Sequence, residues 1–90
     1  MRGVTQVVDL AAERLEIPAF GLHGLPRLTL TGRRELLVEL HRGITRYSED
    51  CVEFAVEGGS VRVRGTGLRL VAMDRGALLL AGVIACVEFV

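Results

Sequence analysis

Ninety residues suffice for one domain with one core, and half of them are apolar while only four are aromatic, so the core has to be built from aliphatic side chains. Eleven cations, all arginine, are cancelled by eleven carboxylates. That balance argues against a nonspecific binder of nucleic acid or anionic membrane, which needs a clear basic excess to release counterions or meet lipid charge.

The first element in chain order is a helix over Val4–Leu15. Val4, Val7, Val8, Ala11, Ala12 and Leu15 fall at the three-to-four-residue spacing of one helical stripe. Thr5 caps a helix starting at Gln6, and Pro18 ends it by pushing Ile17 out of the α region. Phe20 to Pro26, with two glycines and a proline, reads as an irregular connector, so residues 1–26 form a lead-in and residues 27–90 the folded β domain.

From Arg27 onward the period changes to two, the signature of strands with one buried face. Arg27 to Thr31 is the first strand, Gly32-Arg33-Arg34 a turn, Glu35 to Leu40 the second strand and Gly43 to Ser48 the third. Ser48-Glu49-Asp50 turns the chain into Cys51 to Glu57. Gly58-Gly59 then reads as the primed turn of a hairpin whose partner strand is Ser60 to Arg64. Gly65-Thr66-Gly67 breaks the pattern before Leu68 to Met73, Asp74-Arg75-Gly76 turns again, and Ala77 to Ala81 follows. Gly82 introduces the last run, Val83 to Val90, where a one-residue bulge near Ala85 and Cys86 is needed to place Ile84 and Val87 on one face. Turn signals this frequent predict an all-β, mainly antiparallel fold: a small β-sandwich or partly open barrel of about seven to eight short strands, with one short N-terminal helix.

Residues with chemical potential are scattered. His23 and His41 stand eighteen apart with no metal-ligand spacing, and Cys51 and Cys86 read as reduced thiols, so neither metal nor cofactor is expected and no catalytic set is assigned. The densest polar cluster is Glu39-Leu40-His41-Arg42-Gly43, in which Glu39 and Arg42 are placed to pair or cap around a turn. It reads either as a structural turn or as an interface patch at a sheet end. Arg62, Arg64 and Arg69 line one solvated face, with Glu53 and Glu57 expected across from them. No secretory leader is read in a start carrying Arg2, Asp9, Glu13 and Glu16. The eleven uncharged residues Ala77–Val87 fall short of the roughly 20 that span a bilayer, so no transmembrane segment is expected. So apolar a small chain is expected to self-associate, with Ala77–Val87 as the contact segment and Leu79 as its outward test position.

Four stretches carry a resemblance. They are Leu25-Pro26-Arg27-Leu28-Thr29-Leu30-Thr31-Gly32, Val38-Glu39-Leu40-His41-Arg42-Gly43-Ile44 with Tyr47-Ser48, Gly59-Ser60-Val61-Arg62-Val63-Arg64-Gly65 with Leu68, and Gly82-Val83-Ile84-Ala85-Cys86-Val87-Glu88-Phe89. In this order and spacing they resemble the YabP/YqfC family of sporulation proteins, nearer its YqfC branch. Leu40 departs from the pattern, which usually carries asparagine there. The resemblance implies a noncatalytic protein of the mother-cell cytoplasm, acting by protein–protein assembly in endospore envelope or coat morphogenesis. It also implies a membrane-bound, YqfD-like sporulation partner that would bring the protein to the forespore membrane. The competing reading from the residues is an RNA-binding small barrel of Sm-like outline, opposed by neutral charge and few aromatics.

Overall fold

In a computed structural model, residues 24–90 are described. They form six strands, β1 (Arg27–Thr31), β2 (Glu35–Glu39), β3 (Ile44–Tyr47), β4 (Cys51–Val56), β5 (Gly59–Met73) and β6 (Ala77–Phe89). All pairings are antiparallel, in one open sheet of order β1-β2-β6-β5-β4-β3. The helix expected over Val4–Leu15 lies outside the described residues.

The strand count corrects the expected seven to eight short strands. Gly65-Thr66-Gly67 and Gly82 do not end strands; β5 and β6 run through them as strands of 15 and 13 residues. What happens at these glycines is a corner. The β5–β6 register shifts between Arg64 and Gly65 and again between Thr66 and Arg69. A Cβ on Gly65 would lie 2.0 Å from the Val83 carbonyl oxygen, and one on Gly82 would lie 2.7 Å from that of Gly67. Only residues without side chains let the two backbones cross so closely. The bulge expected near Ala85 is present, since Cys86 pairs with Arg64 while Ile84 pairs with Gly65.

Connectivity shows that the sheet doubles over at this corner. Glu39 lies level with Ala77 at the start of β6, whereas Ile44, through Phe54 and Val61, lies level with Phe89 at its end. On a flat sheet those levels would be about 40 Å apart. The four residues between Glu39 and Ile44 span at most about 18 Å. One arm therefore holds β1, β2, the first half of β6 and the second half of β5, and the other holds the remaining halves with β4 and β3.

The core lies inside the fold. Leu36 and Val38 of β2, Val52, Phe54 and Val56 of β4, Val61, Val63 and Leu68 of β5, and Leu78, Leu80 and Ile84 of β6 make one buried cluster. Phe54 is its only aromatic member, so the expected aliphatic core is what forms. Alternation is cleanest in β4, where every second residue is buried.

Candidate functional site

The connector between β2 and β3 carries the polar cluster singled out in the sequence. Leu40 leaves β2 with φ of 66°, the only positive value at a non-glycine among the described residues, and this turns the chain toward the other arm. His41 is buried. Its Nδ1 accepts the Gly43 N–H at 3.0 Å, and its Nε2 lies 3.0 Å from the Asp74 carbonyl oxygen. Because an amide can only donate, Nδ1 is bare, and the proton sits on Nε2 and is donated to Asp74. The Arg42 N–H bonds the Ala55 carbonyl at 2.7 Å, and the Ala55 N–H returns a bond to Gly43 at 2.9 Å. The Arg42 guanidinium reaches Glu57 at 2.5 Å.

Glu39 does not pair with Arg42, contrary to expectation. Its nearest cation is Arg27 of β1, 4.0 Å away, because Glu39 is still on the first arm while Arg42 has crossed to the second. The cluster is thus a stitch between the arms, with His41 spent on two backbone groups. Asp74 fixes the far side. Its Oδ1 accepts the N–H groups of Ala77 at 2.8 Å and Gly76 at 2.9 Å, and these bonds, Ala77's first, hold its carboxyl below the usual range.

The outward face of the second arm carries a row of alternating charge across four strands: Arg46, Glu53, Arg62 and Glu88 in register. Arg62 Nε donates to Glu53 at 2.6 Å, its Nη1 lies 3.6 Å from Glu88, and Arg64 Nε lies 3.2 Å from the same carboxylate. The Glu53 hydrogen bond is the main cause that raises the Arg62 guanidinium above its ordinary value. Glu53 stands across from Arg62 as expected, but Arg64 is met by Glu88 of β6, and Glu57 is taken by Arg42. Arg69 pairs in register with Ala81 on the other arm, away from this row. The basic stripe that would have favoured RNA is neutralised where Arg62 and Arg64 stand.

Cys51 and Cys86 flank Arg64 in the next row. Two strand spacings separate them, about 10 Å, beyond disulfide reach, and both are free. Cys51 faces outward in a shallow hollow lined by Arg46, Asp50, Arg62 and Arg64, while the ring nitrogens of the buried His41 are taken by Gly43 and Asp74. The structure does not bring the two together as a nucleophile–base pair.

The corner also creates two half-strand edges, because β4 pairs only Gly59–Arg64 of β5 and β2 only Ala77–Ala81 of β6. The β5 half-edge is capped by the β3–β4 hairpin. The N–H groups of Gly65, Leu68 and Leu70 bond the Asp50 carbonyl, the Glu49 carbonyl and the Tyr47 hydroxyl at 3.2, 2.7 and 2.8 Å. Among the described residues the β6 half-edge is capped only at its start, by the β1–β2 turn, where Gly82 and Ile84 N–H bond the carbonyls of Arg34 and Arg33 at 3.0 and 2.7 Å and Arg33 Nε donates to the Ile84 carbonyl.

The remaining residues singled out in the sequence fall as follows. Leu79 is half-buried on the outward face of the first arm, between Leu37 and Ala72, and its strand is hydrogen-bonded on both sides, so Leu79 offers a face and not an edge. Gly32 sits in the expected β1–β2 turn. The β4–β5 loop is Glu57-Gly58, closed by the pair Val56–Gly59, one residue earlier than read. Since only Gly58 of these two loop residues has positive φ, the turn is not of the primed type. Sequence reasoning missed Tyr47 and Arg33 as edge caps; nothing in their spacing marks that role. Asp74 was legible as a turn residue through Asp74-Arg75-Gly76.

Among the described residues no helix is long and apolar enough to cross a membrane. The sequence pattern of the YabP family matches residues 24–90, the whole of the described sheet. The uncharacterized protein YqfC of Bacillus subtilis (strain 168) is 34% identical over 76 residues, covering 84% of this chain and 82% of that protein. No solved structure gives a significant match.

Proposed function

Because this chain belongs to the YabP family, we propose that it is a noncatalytic assembly component of endospore formation, acting in envelope or coat morphogenesis from the mother-cell cytoplasm. Its work is contact with copies of itself and with a membrane-bound sporulation partner of the YqfD type. The observation that carries this reading is how the polar side chains are used. His41 spends both ring nitrogens on backbone groups of its own chain, and Arg62, Arg64, Glu53 and Glu88 neutralise one another across the sheet. Groups engaged in this way hold a scaffold together and leave its apolar surfaces as the means of recognition.

The doubled sheet acts as a small sandwich whose outward leucines, Leu37 and Leu79, meet the membrane-bound partner. A charge at this face, as in Leu79→Arg, leaves the core untouched and weakens co-purification with that partner. Deleting the gene in the organism of origin tests the reading as a whole. Growth is expected to be normal and the yield of heat-resistant spores to fall. An unchanged spore yield would overturn the proposal, and tight, salt-sensitive binding of the purified protein to RNA would favour the small-barrel reading instead.

A further inference from the structure

We propose that the end of β6 left uncapped among the described residues pairs with the same strand of a second copy, antiparallel about a two-fold axis at Val87, joining two sheets into one. This rests on the assembly reading above and names one of its contacts.

Hydrogen-bond alternation shows which groups are open. Ser60 and Val90 exchange both backbone bonds, at 3.2 and 2.9 Å. In an antiparallel ladder the exchanging pairs alternate with pairs that do not exchange. The next exchanging pairs are therefore Arg62–Glu88 and Arg64–Cys86, which turns the N–H and C=O groups of Val87 and Phe89 away from β5. No strand among the described residues pairs there, and the caps from the β1–β2 turn stop at Ile84.

Among the described residues, the features that ordinarily protect a strand edge are missing here. Native edges are blunted by free charge, proline, shortness or a covering segment. The β5 half-edge is covered, β3 has four residues and an irregular register, and β1 follows Pro26 and opens on Arg27. Val83–Phe89 has one charged residue, Glu88, and its carboxylate is already held by Arg62 and Arg64. Phe89, 73% exposed, is the most open large apolar side chain on the described surface.

Charge selects the register. Self-pairing centred on Glu88 would set two carboxylates directly opposite, which is unfavourable. Centring on Val87 separates them: Glu88 then faces Cys86 of the second copy, and Phe89 comes alongside its Ala85. The two Val87 residues exchange their open backbone bonds. The contact is short, so the dimer is weak, with a dissociation constant of about micromolar or above.

Sedimentation of the full chain over a range of concentrations is expected to show a monomer–dimer equilibrium. Val87→Pro removes the outward N–H, which β5 does not use, together with a half-buried side chain packed against the core, and is expected to raise the dissociation constant at least about tenfold. Should that variant misfold, Phe89→Arg makes the same test from the side chain. The thiol introduced by Glu88→Cys is expected to cross-link to Cys86 of the second copy under mild oxidation, giving a covalent dimer that the wild-type chain does not give. A wild-type chain monomeric at high concentration, a dimer that neither Val87→Pro nor Phe89→Arg weakens, or a folded Glu88→Cys variant without interchain cross-linking would overturn the proposal. So would a monomer whose Val87 and Phe89 amides are protected from exchange, since residues 1–23 of the same chain would then hold the edge. None of these outcomes changes the spore yield of the deletion strain, so the two proposals fail separately.

Discussion

The position that a Cβ on Gly65 would occupy lies 2.0 Å from the carbonyl oxygen of Val83. Everything that depends on the doubling of the sheet depends on this contact: the single core, the short connector and the two half-edges. The Cβ would meet backbone, not a flexible side chain, so the neighbour cannot yield without moving the β5–β6 crossing. Gly65→Ala is expected to destabilise the fold by more than about 3 kcal/mol. Urea denaturation checks it, and a variant within about 1 kcal/mol of wild type would show that the corner is not held this closely.

His41→Ala removes the acceptor of the Gly43 N–H and the donor to the Asp74 carbonyl, and opens a small void between the arms. The expected loss is about 2–4 kcal/mol. The tautomer is a separate readout. Nitrogen NMR of the imidazole is expected to show an unprotonated Nδ1 and a protonated Nε2; the reverse would mean that the two backbone contacts are not made as described.

Leu40 holds φ of 66° with a branched side chain that is about half exposed, a conformation that costs an ordinary L-residue roughly 1–2 kcal/mol. Asparagine tolerates the left-handed region far better. Leu40→Asn is expected to raise stability by about 1 kcal/mol, and Leu40→Val to lower it. Thermal melts of the three proteins decide the order.

The Asp74 carboxyl is depressed by the amides of Ala77 and Gly76. Its folded value lies below its unfolded one, so its contribution is fully present above the unfolded value, about 4, and is lost as pH falls through the folded value. Asp74→Asn keeps an oxygen acceptor for both amides and removes the titration. The stability difference between wild type and variant is therefore expected to change chiefly below about pH 4, against the wild type. A difference that varied across the neutral range instead would point to another group.

Much of the fold is legible in the chain. The two-residue period places β1 to β4 and the halves of β5 and β6, which it reads as four separate strands; the turns at Gly32-Arg33-Arg34 and Asp74-Arg75-Gly76 fall where they are read, and the spacing of Ile84 and Val87 locates the bulge at Ala85. These are local matters: which side chains alternate, and where a backbone can turn.

Other properties follow from partners distant in sequence, and no periodicity encodes them. Gly65 and Gly82 look like strand breaks, and only the crossing of β5 over β6 makes them a corner inside continuous strands. Glu39 and Arg42 look like a pair, and only the passage of the chain between arms sends them to Arg27 and Glu57. By itself the sequence determined the alternating β runs, the aliphatic core and the charge balance, because each depends on a residue and its near neighbours. Which edges are covered, which carboxylate meets which arginine and which backbone groups of β6 turn away from β5 were decided by the tertiary structure, because doubling the sheet sets the distances between residues dozens of positions apart.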